Sequence, residues 1–156
     1  MPSPYKVVCE ADSLIYSFQT DSGQQYVAYF LRMDSYVTSF QNVYAFNLEQ
    51  INNSTHPVDP RIAATVAELF GRFFENVENG IIYICDTTDG RELARDYLFD
   101  RWFRQYNDGR AEKYSAQQQT PDYLVKASLI LLRNNPDKEQ IISDFYTLVK
   151  NGMIPE

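Results

Sequence analysis

The hydrophobic period of this chain changes near residue 60, and that change limits its possible folds more than any other feature. Before it, apolar residues alternate with polar ones. Tyr16 and Phe18 alternate with Ser17 and Gln19, and Tyr26-Val27-Ala28-Tyr29-Phe30-Leu31 follows after Asp21-Ser22-Gly23-Gln24. Two such runs around a short link, with a glycine able to take positive φ, predict a β-hairpin. Val43-Tyr44-Ala45-Phe46-Asn47-Leu48 predicts a third strand. The polar stretch 32–41 reads as a long hairpin loop or ragged edge, and residues 5–8 as a possible extra short strand.

From Pro60 the apolar residues Ile62, Val66, Leu69, Phe70, Phe73 and Val77 are spaced by threes and fours. Arg61, Thr65, Glu68, Arg72 and Glu75 take the other side, which predicts an amphipathic helix over 60–77. Asp59 is placed to cap it, Pro60 suits its first position, and Asn79-Gly80 stops it. Ile81-Ile82-Tyr83-Ile84-Cys85 is continuously apolar and suits a strand covered on both faces. A second helix is expected over 90–106, broken by Asn107-Asp108-Gly109, with Trp102 in its apolar surface. Residues 110–120 read as an exposed strand. Residues 123–132 read as a core strand interrupted by Lys126 and Ser128. A last helix begins at Asn135-Pro136, faces inward with Ile141, Ile142, Phe145, Leu148 and Val149, and ends at Asn151-Gly152. The order β-β-β-α-β-α-β-β-α predicts an α+β fold, a mainly antiparallel sheet with helices packed on it, in one domain over 1–156.

Composition narrows the function. With 14 Lys and Arg against 21 Asp and Glu, the net charge is −7. An acidic field repels phosphate backbones, so no nucleic-acid partner is expected. No run of about 18 apolar residues occurs, so no membrane partner is expected. Met1-Pro2-Ser3-Pro4-Tyr5-Lys6 has no apolar core, so no secretory leader is expected. With 2 cysteines and no framework, the reading is a cytoplasmic protein with Cys9 and Cys85 as free thiols, Cys85 buried. The one histidine, His56, lies in a polar loop without neighbours at metal-ligand spacing, so neither a metal nor a catalytic triad is expected. No Walker loop and no Gly-x-Gly-x-x-Gly occurs.

One segment has the residues for a ligand: Asp86-Thr87-Thr88-Asp89-Gly90-Arg91-Glu92-Leu93-Ala94-Arg95. It joins the end of an apolar strand to the start of a helix, where backbone N–H groups and the helix dipole favour an anion. Thr87 and Thr88 offer hydroxyls, Gly90 permits close approach, and Arg91 and Arg95 share a helical face. The competing reading is structural. Asp89 and Glu92 have capping-box spacing, and Arg91 and Arg95 would then pair with acids such as Asp96. Six basic residues in 91–113 are matched by five acidic ones, so the region has little excess charge. Aromatic content is the second feature. Six tyrosines (Tyr5, Tyr16, Tyr26, Tyr29, Tyr36 and Tyr44) fall in the first 50 residues. They read either as cross-strand and core pairs or as an exposed Tyr-rich sheet face able to form a homodimer.

The segments Ile15-Tyr16-Ser17-Phe18-Gln19-Thr20-Asp21-Ser22-Gly23, Arg61-Ile62-Ala63-Ala64-Thr65-Val66, Tyr83-Ile84-Cys85-Asp86-Thr87-Thr88-Asp89-Gly90-Arg91 and Leu131-Leu132-Arg133-Asn134-Asn135-Pro136-Asp137-Lys138 together resemble a small family of uncharacterised bacterial proteins. The Cys-Asp-x-x-Asp-Gly-Arg segment is its most specific part. The resemblance implies no activity and no catalytic residues. The element order is also similar to the central run of Gcn5-related acyltransferases, which implies coenzyme A at the start of the helix over 60–77. The matching stretch, Thr55-His56-Pro57-Val58-Asp59-Pro60-Arg61-Ile62, departs from that family in having no glycine and in losing an amide donor at Pro60. The two substrate-binding helices before the sheet are missing as well. The expected function is a non-enzymatic module for a protein partner or a small anionic ligand, the latter at Thr87, Thr88, Gly90, Arg91 and Arg95. The alternative is a divergent acyltransferase-like enzyme.

Overall fold

A computed structural model of the chain describes residues 2–11, 13–51, 59–86, 100–101, 103–104, 107–119, 121 and 124–151. The strands are β1 (Val8–Cys9), β2 (Ile15–Gln19), β3 (Gln25–Arg32), β4 (Val43–Gln50), β5 (Gly80–Asp86), β6 (Ala111–Gln119) and β7 (Leu124–Leu132). Helix α1 (Pro60–Phe73) lies between β4 and β5, and α2 (Lys138–Lys150) follows β7. The seven strands form one sheet in the order β1-β2-β3-β4-β5-β7-β6. The fold is α+β as expected. Its pairs are antiparallel except β4 with β5, which is parallel over only Val43↔Gly80, Tyr44↔Ile81 and Ala45↔Ile82.

The β2–β3 hairpin turns at Gly23, whose φ of 88° needs a residue without a Cβ. Asp59 caps α1 as predicted, its carboxylate accepting from Arg61 N at 2.9 Å with Pro60 in the first turn. The helix stops at Phe73 rather than reaching 77, because residues 74–79 form turns and Asn79 Nδ2 donates to Phe73 O at 2.8 Å. The N-terminal segment is clipped to α1. Tyr5 N donates to Thr65 Oγ1 at 2.8 Å, Tyr5 OH donates to Asp59, and Arg61 lies 3.8 Å over the Tyr5 ring.

Helices α1 and α2 cover opposite faces, since strand residues alternate. On one face Val66 and Leu69 of α1 pack with Ala28, Phe30, Phe46 and Ile81. On the other, Ile141, Phe145, Leu148 and Val149 of α2 pack with Ile82, Ala127, Leu129 and Leu131. The stretch 32–41, expected to be a polar loop, supplies Met33 and Phe40 to this second core, and both are buried. Successive turns bring those two apolar residues inward, and Ser39 Oγ donates to Asp144 of α2. The extra strand expected at 5–8 is only the two-residue β1. The strand expected at 123–132 lies inside the sheet, between β5 and β6.

The tyrosines do not form an exposed sheet face. Tyr16, Tyr26 and Tyr44 share the α1 face with Phe18 and Phe30, where rings stack cross-strand, as Phe18 does on Tyr26 at 5.4 Å. The opposite face of β1–β3 is aliphatic: Val8, Ile15 and Leu31 are exposed there, with Tyr29 between them. Tyr29 OH donates to Glu49 Oε1 at 2.7 Å. Burial, and then this bond to a carboxylate, push the Tyr29 phenol from 10.0 to about 12. A raised phenol favours the protonated fold. Its contribution is therefore complete below pH 10 and lost as pH rises from there through about 12. An alkaline titration followed by tyrosinate absorbance should show this late ionisation, and Tyr29→Phe should remove it.

Candidate functional site

The residues that interrupt β7, Lys126 and Ser128, are two apart and so share one face. The register places Ser128 between Tyr83 of β5 and Ser115 of β6, and Lys126 between Cys85 and Gln117. That is the α1 face, but at the carboxyl end of β5, beyond the α1 core. A polar patch of Tyr83, Lys113, Ser115, Gln117, Lys126 and Ser128 results. Ser115 Oγ and Ser128 Oγ lie 2.8 Å apart, and Ser128 is buried. A cavity of about 240 Å³ is lined by Ser115, Ala116, Gln117, Lys126, Ala127 and Ser128.

Lys113 anchors the inner side of the patch. Its Nζ donates to Asp100 Oδ1 at 2.9 Å and lies 5.6 Å from the Tyr83 ring centroid. Burial works against its charge, yet the neighbouring Tyr83 hydroxyl and the Asp100 carboxylate outweigh that and hold the ammonium above its ordinary range. Asp100 is held below the usual carboxylate range, first by the Lys113 bond and further by Arg104 at 2.9 Å. Lys113 is therefore a protonated cation offset by Asp100, and it is unsuited to act as a base. Beyond the Lys113–Asp100 pair, the patch combines hydroxyls, an amide and the Lys126 ammonium, with no carboxylate among its six residues, and these are groups that can donate to an anion.

Thr87, Thr88, Gly90, Arg91 and Arg95 lie outside the described residues, as do the Asp89 and Glu92 of the capping reading, Trp102 and His56. So does the Cys85 side chain. The described β5 ends at Asp86, and its last two residues, Cys85 and Asp86, pair with Lys126 and Val125. Of the helix expected over 90–106, residues 100, 101, 103 and 104 are described and helical. Lys126 and Ser128 were visible in the sequence as interruptions. Ser115 and Gln117 gave no sign there, since only the β6–β7 register brings them alongside. Cys9 is exposed and free. Among the described residues no group of three or more His, Cys, Asp or Glu could hold a metal, and no helix is long and apolar enough to cross a membrane.

The start of α1, where the acyltransferase likeness would place coenzyme A, has a different character. Pro60 has no N–H, Arg61 N donates to Asp59 Oδ1 at 2.9 Å, and Ile62 N donates to Asp59 O at 3.0 Å. An incoming pyrophosphate there faces the Asp59 carboxylate.

No curated protein and no solved structure matches the chain. A family model described as a family of unknown function (DUF6169) matches residues 58–147. That match runs from the cap of α1 through most of α2, so it takes in β5, β6 and β7, the polar patch and the Cys-Asp-x-x-Asp-Gly-Arg segment, and leaves β1 to β4 outside. Spanning more than half of the 156 residues, it shows that the chain belongs to this family of unknown function.

Proposed function

We propose that the chain is a non-enzymatic binding module whose ligand is a small anion at the carboxyl end of β5. Lys126, Ser128, Ser115 and Gln117 supply one wall. The further ligands in this reading are Thr87, Thr88, Gly90, Arg91 and Arg95. The observation behind this reading is the placement of Lys126 and Ser128 on one face of β7, beside a cavity and next to the point where β5 ends. The test is thermal unfolding of the full chain with inorganic phosphate, pyrophosphate and citrate. An anion present at about 100 times its Kd adds roughly 2.7 kcal/mol, which a melting curve resolves readily. Lys126→Ala should weaken the stabilisation, and Arg91→Ala with Arg95→Ala should abolish it. Stabilisation unchanged in both variants, or absent from the parent chain, removes the reading.

One observation favours the second reading, an acyltransferase-like protein using coenzyme A. The parallel β4–β5 pairing covers three residue pairs, although β4 runs on to Gln50 and β5 to Asp86. Calorimetry with acetyl-coenzyme A decides, since no heat at high ligand concentration removes it. A homodimer through the sheet would have to use the aliphatic face of Val8, Ile15 and Leu31 rather than a tyrosine face. Light scattering at 18.2 kDa across all concentrations would exclude it.

A further inference from the structure

A second cavity lies on the α1 face at the opposite end of β7 from the polar patch. Its volume is about 250 Å³. Val66, Phe70 and Phe74 line it from α1 and the turn after it, Phe103 from the helical residues, and Ile130 and Leu132 from β7. Apolar cavities of roughly 150 Å³ already admit benzene, so this one has room for a ring with a substituent. Gly71 also lines it, and a Cβ added at Gly71 meets nothing within 4 Å.

The rim decides the charge of the occupant. Its exposed charged residues are Glu75, Asp108 and Arg110. Arg110 is already committed, with its Nε 2.8 Å from Asp108 Oδ2, and this bond holds the Asp108 carboxyl below its ordinary range. Glu75 adds a second carboxylate. The rim charges sum to −1, since Arg110 and Asp108 offset each other and Glu75 remains, so an anionic ligand would meet net repulsion. A cation would meet that net negative rim and a lining that includes three phenylalanines, the residue type whose ring attracts positive charge. The −7 charge of the chain acts in the same direction at longer range.

We infer that this cleft is a binding site for a small organic cation, an alkyl or aryl ammonium compound whose apolar body fills the space between α1 and β7. The inference does not depend on the anion reading, because the two cavities share no lining residue.

The test is ligand-observed NMR titration of the full chain with benzyltrimethylammonium, benzyl alcohol and benzoate. The cation should bind about tenfold tighter than the neutral alcohol, and benzoate weakest of the three. Gly71→Leu, which fills the space, should abolish cation binding. Gly71→Ala is the folding control. It should keep most of the binding and raise the melting temperature by about 2–4 °C, because alanine is the better helix former. Glu75→Gln should reduce the preference for the cation over the alcohol and leave binding of the alcohol unchanged. Benzoate binding as well as the cation, cation binding that survives Gly71→Leu, or no binding of the cation each overturns the inference.

Discussion

Phe145→Ala should remove about 3–5 kcal/mol of folding stability and lower the melting temperature by on the order of 10 °C. Phe145 is 0 % exposed. It lies in the cluster that joins α2 to Met33, Phe40, Val43, Ile82, Leu129 and Leu131. Four separate pieces of chain therefore meet around this ring, and each is fixed by other contacts. Such a site collapses little when the ring is removed, so the cavity cost adds to the lost transfer energy. A domain of this size holds only about 5–15 kcal/mol in total, so the loss is a large share. Urea unfolding should show a lower midpoint with an unchanged slope. Leu31→Ala is the matched control. Leu31 is 54 % exposed on the open aliphatic face, and its loss should change stability by less than about 0.5 kcal/mol. Equal effects for the two variants would contradict the placement of the second core.

Thr65→Val should cost about 1–3 kcal/mol although it conserves volume. Thr65 is 0 % exposed in the middle of α1. Its Oγ1 accepts from Tyr5 N at 2.8 Å and donates to Arg61 O at 2.6 Å. Valine keeps the shape and removes the acceptor, so the Tyr5 amide is left in a buried place without it. The expected signature is local as well as global. Hydrogen exchange at Tyr5 should quicken more than that of the β3 and β4 amides, because the clip loosens before the sheet opens. Thr65→Ser should restore most of the loss. A Val variant as stable as the parent would mean that the Tyr5 segment contributes nothing to holding α1.

The change of hydrophobic period made the outline legible. Asp59, Pro60 and the three-four spacing of Ile62, Val66 and Leu69 located α1, because capping and amphipathicity act within a few residues. The continuous run at 81–85 marked a strand buried on both faces, and β5 is one. What stayed hidden depends on pairing between distant segments. The alternation around residues 124–132 says nothing about neighbours, so the insertion of β7 between β5 and β6 had no local signal. Met33 and Phe40 are single apolar residues in a polar stretch, and no period reveals that turns fold them inward. For the same reason the tyrosines were legible as strand residues but not by face. The polar patch divides in this way too. Lys126 and Ser128 stood out against their apolar strand, whereas Ser115 and Gln117 became partners only through register.

The late position of β7 and α2 in the chain has a consequence for synthesis. As the protein is made from its N-terminus, β1 to β4 and α1 emerge first and can pair and pack through local contacts. Met33, Phe40, Val43 and Ile82 emerge with them, but their partners Leu129, Leu131, Phe145 and Leu148 come last. Until then one apolar face of a half-built sheet stands open to water. The β4–β5 seam, only three residue pairs long, has to hold the growing half together meanwhile. A ribosome-bound chain ending before residue 138 should therefore be protease-sensitive and attract chaperones, and arrive at its protected state only when α2 is released to close the second core.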